Sequence, residues 1–243
     1  MRQIGTRDHP VRMSATGKIL ECPMSYYLQA VGAVEDTSGK AAQTGSACHE
    51  MIQRLHSGGD PATVEQDCAD KFPLADWREA ERHFADYQSD PENTSAQITH
   101  IEQKVSLVID DVYFSGTLDQ LRLAPDGRYY VWDVKTGRST GQAMCDIYAC
   151  QMAGYTLAAR QSLGLDVYPG GFIRTLSYRK GENAHIQFPL SLAQCNLLLD
   201  QVVRSVQRMR QGEVEARPAF RCRSICPLRG VDNCLHLHST LEN

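Results

Sequence analysis

The sequence predicts an α/β fold built on a mixed central β-sheet flanked by helices, and three observations carry that expectation. Alternating β-branched runs cluster between Gln97 and Phe188, long helical patterns interrupt and follow them, and the order helix, three strands, helix, strands, helix interleaves the two periodicities. With 243 residues, 42% of them hydrophobic, the chain can bury one sizeable core. No repeat, low-complexity tract or linker divides it, so residues 1–243 are read as a single domain.

In chain order, Ser14 to Val31 reads as a helix broken at Pro23, with Cys22 at the break. Thr44 to Leu55 is a second helix whose Cys48, Met51, Ile52 and Leu55 form a buried stripe and leave His49 on its margin. The polar stretch from Pro61 to Gln88 is helix-prone and reads as a helical accessory region, an insertion over residues 61–90 rather than core. The strands are Ile98 to Val108, Val112 to Leu123, Tyr129 to Val134, Gly171 to Tyr178 and Ala184 to Phe188. Helices over Gln142 to Ser162 and Ser191 to Gln211 separate and follow them.

A formal net charge of -4 does not suit a protein that coats phosphates non-specifically, so any nucleic-acid contact has to be local. Arg204, Arg208, Arg210, Arg217, Arg221, Arg223 and Arg229 offer one such place, unless they form only a solvated face and tail. No window is long and apolar enough to span a bilayer and no secretory run opens the chain, so a soluble cytoplasmic protein without membrane partners is expected. Nine cysteines are many for a reducing compartment, where grouped thiols more often hold metal than form disulfides.

Ala124-Pro125-Asp126-Gly127-Arg128 is a turn signal that makes the second and third strands an antiparallel hairpin. A two-residue turn would set Asp119 on the face opposite Asp133 and Lys135, whereas a three-residue loop sets all three on one face. The odd-numbered loop is expected. Two neighbouring carboxylates repel, and a divalent cation resolves the conflict; magnesium or manganese suits such an oxygen-rich site. Such an ion could polarise a phosphate and acidify a water, with Lys135 offsetting developing charge. Singly, Asp133-x-Lys135 also fits an edge-strand salt bridge, Asp119 a strand-end acid and His49 a surface or core histidine.

Taken together and in order, Gly45-x-x-x-His49, Gly116-Thr117-Leu118-Asp119, Asp133-Val134-Lys135-Thr136-Gly137 and Gln151-x-x-x-Tyr155 resemble the PD-(D/E)XK nuclease superfamily. Within it they resemble the RecB-type branch that includes AddB and the CRISPR-adaptation nucleases. The resemblance implies a restriction-endonuclease-like core in which His49, Asp119, Asp133 and the Val134 carbonyl bind the metal and Lys135 is the catalytic lysine. Gln151 and Tyr155 would stand beside the site near DNA, although helix-to-sheet packing explains them as well. Glu102, on the preceding strand, is a second-rank carboxylate.

The same branch implies a [4Fe-4S] cluster on Cys22, Cys222, Cys226 and Cys234, which would tie a cysteine-rich segment over 220–236 to the N-terminal helix. Three and seven residues separate the last three cysteines, wider than the family's usual spacing, and Cys234 with His236 and His238 leaves zinc as an alternative. Cys48, Cys68, Cys145, Cys150 and Cys195 read as small buried hydrophobes. The implied function is a metal-dependent nuclease, as a single-stranded DNA exonuclease in recombination, repair or end processing, with a helicase, recombination or CRISPR-adaptation partner. The alternative is a non-catalytic DNA-binding or scaffold subunit of a helicase or integrase complex. Under the nuclease reading, Tyr155 or Trp132 would be available to stack on bases of the single strand.

Overall fold

The computed structural model describes residues 4–33, 39–137, 142–176, 185–217 and 226, with backbone alone for 142–146. Among the described residues the strands are β1 (Val11–Arg12), β2 (Ile98–Ile109), β3 (Val112–Leu123), β4 (Tyr129–Lys135), β5 (Val167–Thr175) and β6 (His185–Pro189). They join into one mixed sheet organised by β3, which pairs antiparallel with β2 along its length. Its first half also pairs parallel with β1, and its last residues pair antiparallel with β4. Beyond β4 the order continues with β5, parallel, and β6, antiparallel. A parallel pair needs a crossover, and the helix α7 (Gln142–Leu163) supplies it.

The helix boundaries follow local chemistry. Cys22 is extended, at φ -152°, and separates α1 (Thr16–Glu21) from α2 (Pro23–Ala30), which starts on Pro23, where the missing N–H costs nothing. Ser191 and Gln194 form a reciprocal capping box that opens α8 (Leu192–Arg210). On one face of the sheet, α7 and α8 pack Ala153, Leu199 and Val202 against Phe114, Leu118 and Val131.

The opposite face is covered over its second half by α3 (Lys40–His56), α4 (Val64–Cys68) and α5 (Trp77–Ser89). Here the structure corrects the reading of 61–90 as accessory. Ala80, Phe84 and Tyr87 of α5 are buried with Ala47 and Met51 of α3 against Trp132 and Val134, so this segment is core. A buried polar chain fixes it to the sheet. The Gln120 amide donates to the Tyr87 hydroxyl (2.6 Å), and Arg122 donates to Gln120 (2.6 Å) and to Asn93 (2.9 Å) of α6 (Pro91–Ser95).

β5 begins at Val167, four residues before the sequence suggests. Pro169-Gly170-Gly171 forms an irregular strand segment, with Gly170 at φ +90° and a register shift against β4. A Cβ on Gly170 would lie 1.9 Å from the Phe188 carbonyl oxygen, so glycine is required by the close approach of β6.

Candidate active site

The β3–β4 pairing has a constant index sum, with Gln120 opposite Trp132 and Leu123 opposite Tyr129. Ala124 accepts from Gly127 and donates to Arg128, leaving the three-residue loop Pro125-Asp126-Gly127. Continued one step, that register sets Asp119 against Asp133. The ladder stops just short of the pair, however, and the Asp119 carboxylate itself accepts the Val134 N–H at 2.6 Å. Alternation slips there too: Leu118 and Leu121, three apart, both enter the α7/α8 core. Asp119 thus reaches across the gap between diverging strands instead of standing squarely on the Asp133 face.

β2 is irregular at the same level. Ile109 pairs with Val112 and Gln103 with Leu118, a register that brings Glu102 opposite Asp119. Glu102 has φ +46°, a left-handed conformation uncommon for a non-glycine residue. Strain of this kind persists where surrounding structure imposes it and clusters at functional sites. Glu102 therefore stands with Asp119 and His49 in the group that the fold gathers. The two-residue turn at Asp110-Asp111 is the sequence signal that points to it, because that turn fixes the register that puts Glu102 against Asp119.

α3 brings His49 onto this pair. Gly45, one turn earlier, allows the approach, since a Cβ there would lie 2.8 Å from the Thr136 hydroxyl. His49 Nδ1 lies 3.2 Å from Glu102 and 3.7 Å from Asp119, and Nε2 lies 3.1 Å from the Val134 carbonyl oxygen. Both ring nitrogens face acceptors, which suits an imidazolium donating from each. Burial opposes that charge, but Asp119 and Glu102 outweigh it and raise the His49 pKa to about 9. One ligand atom from each of His49, Glu102 and Asp119 fits within 4.8 Å of the others. The group opens into a cleft of about 710 Å³ whose walls include Glu50, Lys71, Thr136 and Tyr148.

Asp133 and Lys135 approach from the α7 side. Asp133 is buried, and its two oxygens are divided between the Lys135 ammonium and the Gln151 amide, which donates at 3.0 Å. Burial pushes the Asp133 carboxyl above the usual carboxylate range, while Lys135 draws it back. For Lys135 burial opposes the charge, yet Asp133 and Asp119 together hold its pKa above that of a free lysine. Asp133 therefore lies beside the His49, Glu102 and Asp119 cluster but engages the lysine. Tyr155 donates to the Thr117 carbonyl at 2.7 Å, crossing the sheet where Gly116 leaves room for its ring. It braces β3 and, like the fully buried Trp132, has no face free for a base.

The sequence matches the PD-(D/E)XK nuclease superfamily over residues 13–231. The chain belongs to that superfamily. A candidate exonuclease from Eubacterium rectale has a similar solved structure, with TM-score 0.59, 16% identity, and coverage of 89% of this chain and 86% of that one. A second solved structure, SSO0001, is more distant, with TM-score 0.48, 13% identity, and coverage of 96% and 88%. No curated protein matches the chain.

Several expectations resolve differently in this nuclease. Arg210 is tied to the Ile4 and Gly5 carbonyls and to Asp111, and Arg217 to the Leu20 carbonyl and Glu215, so both pin the chain rather than offer themselves to phosphates. Arg221, Arg223 and Arg229 lie outside the described residues, as do Cys222, Cys234, His236 and His238. Cys22 is buried, and Cys226 packs near Met24, Tyr27 and Leu28 just beyond it. Cys48, Cys68, Cys150 and Cys195 are buried, with burial pushing the Cys48 thiol up to about 12 and the Cys150 thiol up to about 11. The side chain of Cys145 lies outside the described residues. Among the described residues no helix is long and apolar enough to cross a membrane.

Proposed function

We propose that this nuclease is a divalent-metal-dependent deoxyribonuclease acting on single-stranded DNA, as an exonuclease in recombination, repair or end processing with a partner protein. The observation that carries the reading is the convergence of His49, Glu102, Asp119 and the Val134 carbonyl on one point of the cleft, with the Asp133–Lys135 pair beside it. Burial opposes a charge on His49, but the Asp119 and Glu102 carboxylates already favour positive charge there and raise its pKa to about 9. That donor set fits magnesium or manganese, which take carboxylates and carbonyls readily.

His49, Asp119 and the Val134 carbonyl would hold the ion, with Glu102 or Asp133 as a further carboxylate. Bound there, it would polarise the scissile phosphate and lower the pKa of a water. His49 must first lose the proton it carries. Lys135 keeps its proton and offsets negative charge developing on the phosphate. Asp133 holds that ammonium in place, and Gln151 fixes Asp133.

A [4Fe-4S] cluster on Cys22, Cys222, Cys226 and Cys234 belongs to the same reading. It is supported by Cys226 lying with Met24 and Leu28, and by Glu215 and Arg217 bonding to the backbone on either side of Cys22. Anaerobic purification should give a brown protein with iron and sulfide; a colourless protein with stoichiometric zinc reverses the assignment.

The function is tested by hydrolysis of single- and double-stranded DNA with magnesium, manganese or EDTA. Asp119→Asn should abolish cutting, Lys135→Ala should lower it by about a hundredfold to a thousandfold, and both should leave DNA binding. Cutting at the wild-type rate in either refutes that residue's role, and no metal-dependent cutting by the wild type favours a DNA-binding or scaffold subunit instead.

A further inference from the structure

The segment 61–76, which the sequence sets apart as part of an insertion, supplies one wall of the metal-site cleft. It is clamped to α3 at both ends. At its start the Arg54 guanidinium of α3 donates to Thr63 (2.6 Å) and Asp67 (2.5 Å) and reaches the Cys68 thiol at 3.7 Å. At its end the Leu74 N–H donates to the Gln43 side chain and the Asp76 N–H to the Thr44 hydroxyl, each at 2.8 Å. Between the clamps, the Lys71 and Phe72 N–H groups both donate to the Cys68 carbonyl at 3.0 Å and close α4 in a turn. That turn sets Lys71 and Phe72 into the cleft wall.

Lys71 joins a fixed backbone to a mobile-ended side chain. Its ammonium lies 4.9 Å from the centre of the Phe72 ring and 2.9 Å from Glu50, and 61% of the side chain is exposed. Phe72 is buried, so its ring is a firm floor for the lysine stem. An ion pair this exposed does little for folding. Nor does Glu50 depend on it, because its other oxygen lies 3.8 Å from Arg54.

The charges of the cleft sort accordingly. Among the described residues its walls carry the acids Glu50, Glu102 and Asp119, and the basic groups His49, Lys71 and Lys135. Glu102 and Asp119 face His49, and Lys135 is bound by Asp133. The acids of the 61–76 segment do not alter this. Arg54 takes Asp67, Lys40 takes Asp76, and the exposed Glu65 and Asp70 are not among the cleft residues. Lys71 can therefore change partner while Glu50 keeps a cation and the metal-site acids keep theirs. Because Glu50 follows His49 directly on α3, with Cα atoms about 3.8 Å apart, the Lys71 ammonium stands beside the site where a scissile phosphate would meet the ion.

We infer that Lys71 is a substrate-binding residue, which exchanges Glu50 for the backbone phosphate next to the scissile one. Lys135 acts on the scissile phosphate from the β4 side, and Lys71 anchors its neighbour from the α3 side. The inference rests on the proposed single-stranded DNA substrate, and it gives the 61–76 segment a part in holding that strand.

The test measures binding of a fluorescein-labelled oligothymidylate by anisotropy in EDTA over a range of salt. Without metal the readout is separate from hydrolysis, so a wild type that binds through Lys71 but never cuts fails the proposed function and leaves this inference standing. Lys71→Ala should weaken binding about fivefold at low salt, the upper end for one exposed ion pair. The slope of log affinity against log salt should fall by about 0.7, for one single-strand phosphate no longer neutralised. Lys71→Arg should restore both. Glu50→Gln should tighten binding, a gain that misfolding cannot imitate, and most of that gain should vanish when Lys71→Ala is added, because the two residues are coupled. Unchanged affinity and slope in Lys71→Ala, a gain from Glu50→Gln that persists in full without Lys71, or a wild type that does not bind the oligonucleotide would overturn the assignment.

Discussion

Two cations project from opposite faces of the sheet, and their surroundings differ in kind. Arg122 is fully buried, with its guanidinium 3.7 Å from the centre of the Trp132 ring and its N–H groups taken by Gln120, Asn93 and the Glu92 carbonyl. Its polar partners are neutral, and burial lowers its pKa. Lys135 retains 28% side-chain exposure, opens into the cleft, and is held by carboxylates that raise its pKa. A buried cation with a complete neutral shell fastens one helix layer to a sheet. One that shares carboxylates at the mouth of a cleft still has interactions to redistribute when a phosphate arrives.

The sharpest way to break that contrast is to delete both charges. Lys135→Ala should reduce kcat by about a hundredfold to a thousandfold, the usual loss for one preorganised electrostatic donor, with little change in thermal midpoint. Arg122→Met should leave the Gln120 and Asn93 acceptors buried and unpaired, at about 2–4 kcal/mol. That corresponds to a drop of roughly 5–15 °C in melting temperature by calorimetry. Equal melting losses in the two variants would erase the distinction.

The next effect is on metal affinity. His49 carries a proton up to about pH 9 and must lose it to bind an ion, so manganese affinity should rise about tenfold per pH unit between pH 7 and 9. Calorimetry in buffers of different ionisation enthalpy should show close to one proton released at pH 7. The metal-free protein follows the opposite sign. A raised pKa stabilises it fully below about pH 6.5, and that contribution is lost as the pH rises through about 9. A pH-independent affinity would mean that His49 is not a ligand.

The smallest effect belongs to Gln151. Gln151→Leu should cost about tenfold to a hundredfold in activity, as partners of metal-site groups generally do. Removing an amide that donates to Asp133 also raises that carboxyl further, so the acid limb of the rate profile should move to higher pH. A lowered rate with an unmoved limb would reduce Gln151 to packing.

The features legible in the sequence are those set by short-range chemistry. The Pro125-Asp126-Gly127 loop, the Ser191 cap and the Cys22-Pro23 break all lie where their residue types demand. Trp77, Ala80, Phe84 and Tyr87 have helical spacing, but charged neighbours disguise a helix that is core. The close approach of Phe188 to Gly170 and the β1 pairing depend on strands distant in sequence, so local pattern does not announce them. At the site, His49, Asp119, Asp133 and Lys135 could be read from ordered motifs. The left-handed turn of Glu102 and the bond from the Val134 N–H to Asp119 exist only once three strands meet.

The central claim is that these side chains gather round a hard divalent cation, and a crystal of the nuclease grown or soaked with manganese tests it most directly. An anomalous difference peak bounded by His49, Asp119 and the Val134 carbonyl, and its disappearance in Asp119→Asn, is the predicted result. Saturating manganese with no density there, and His49 still bonded to Glu102 and Val134, would contradict the account.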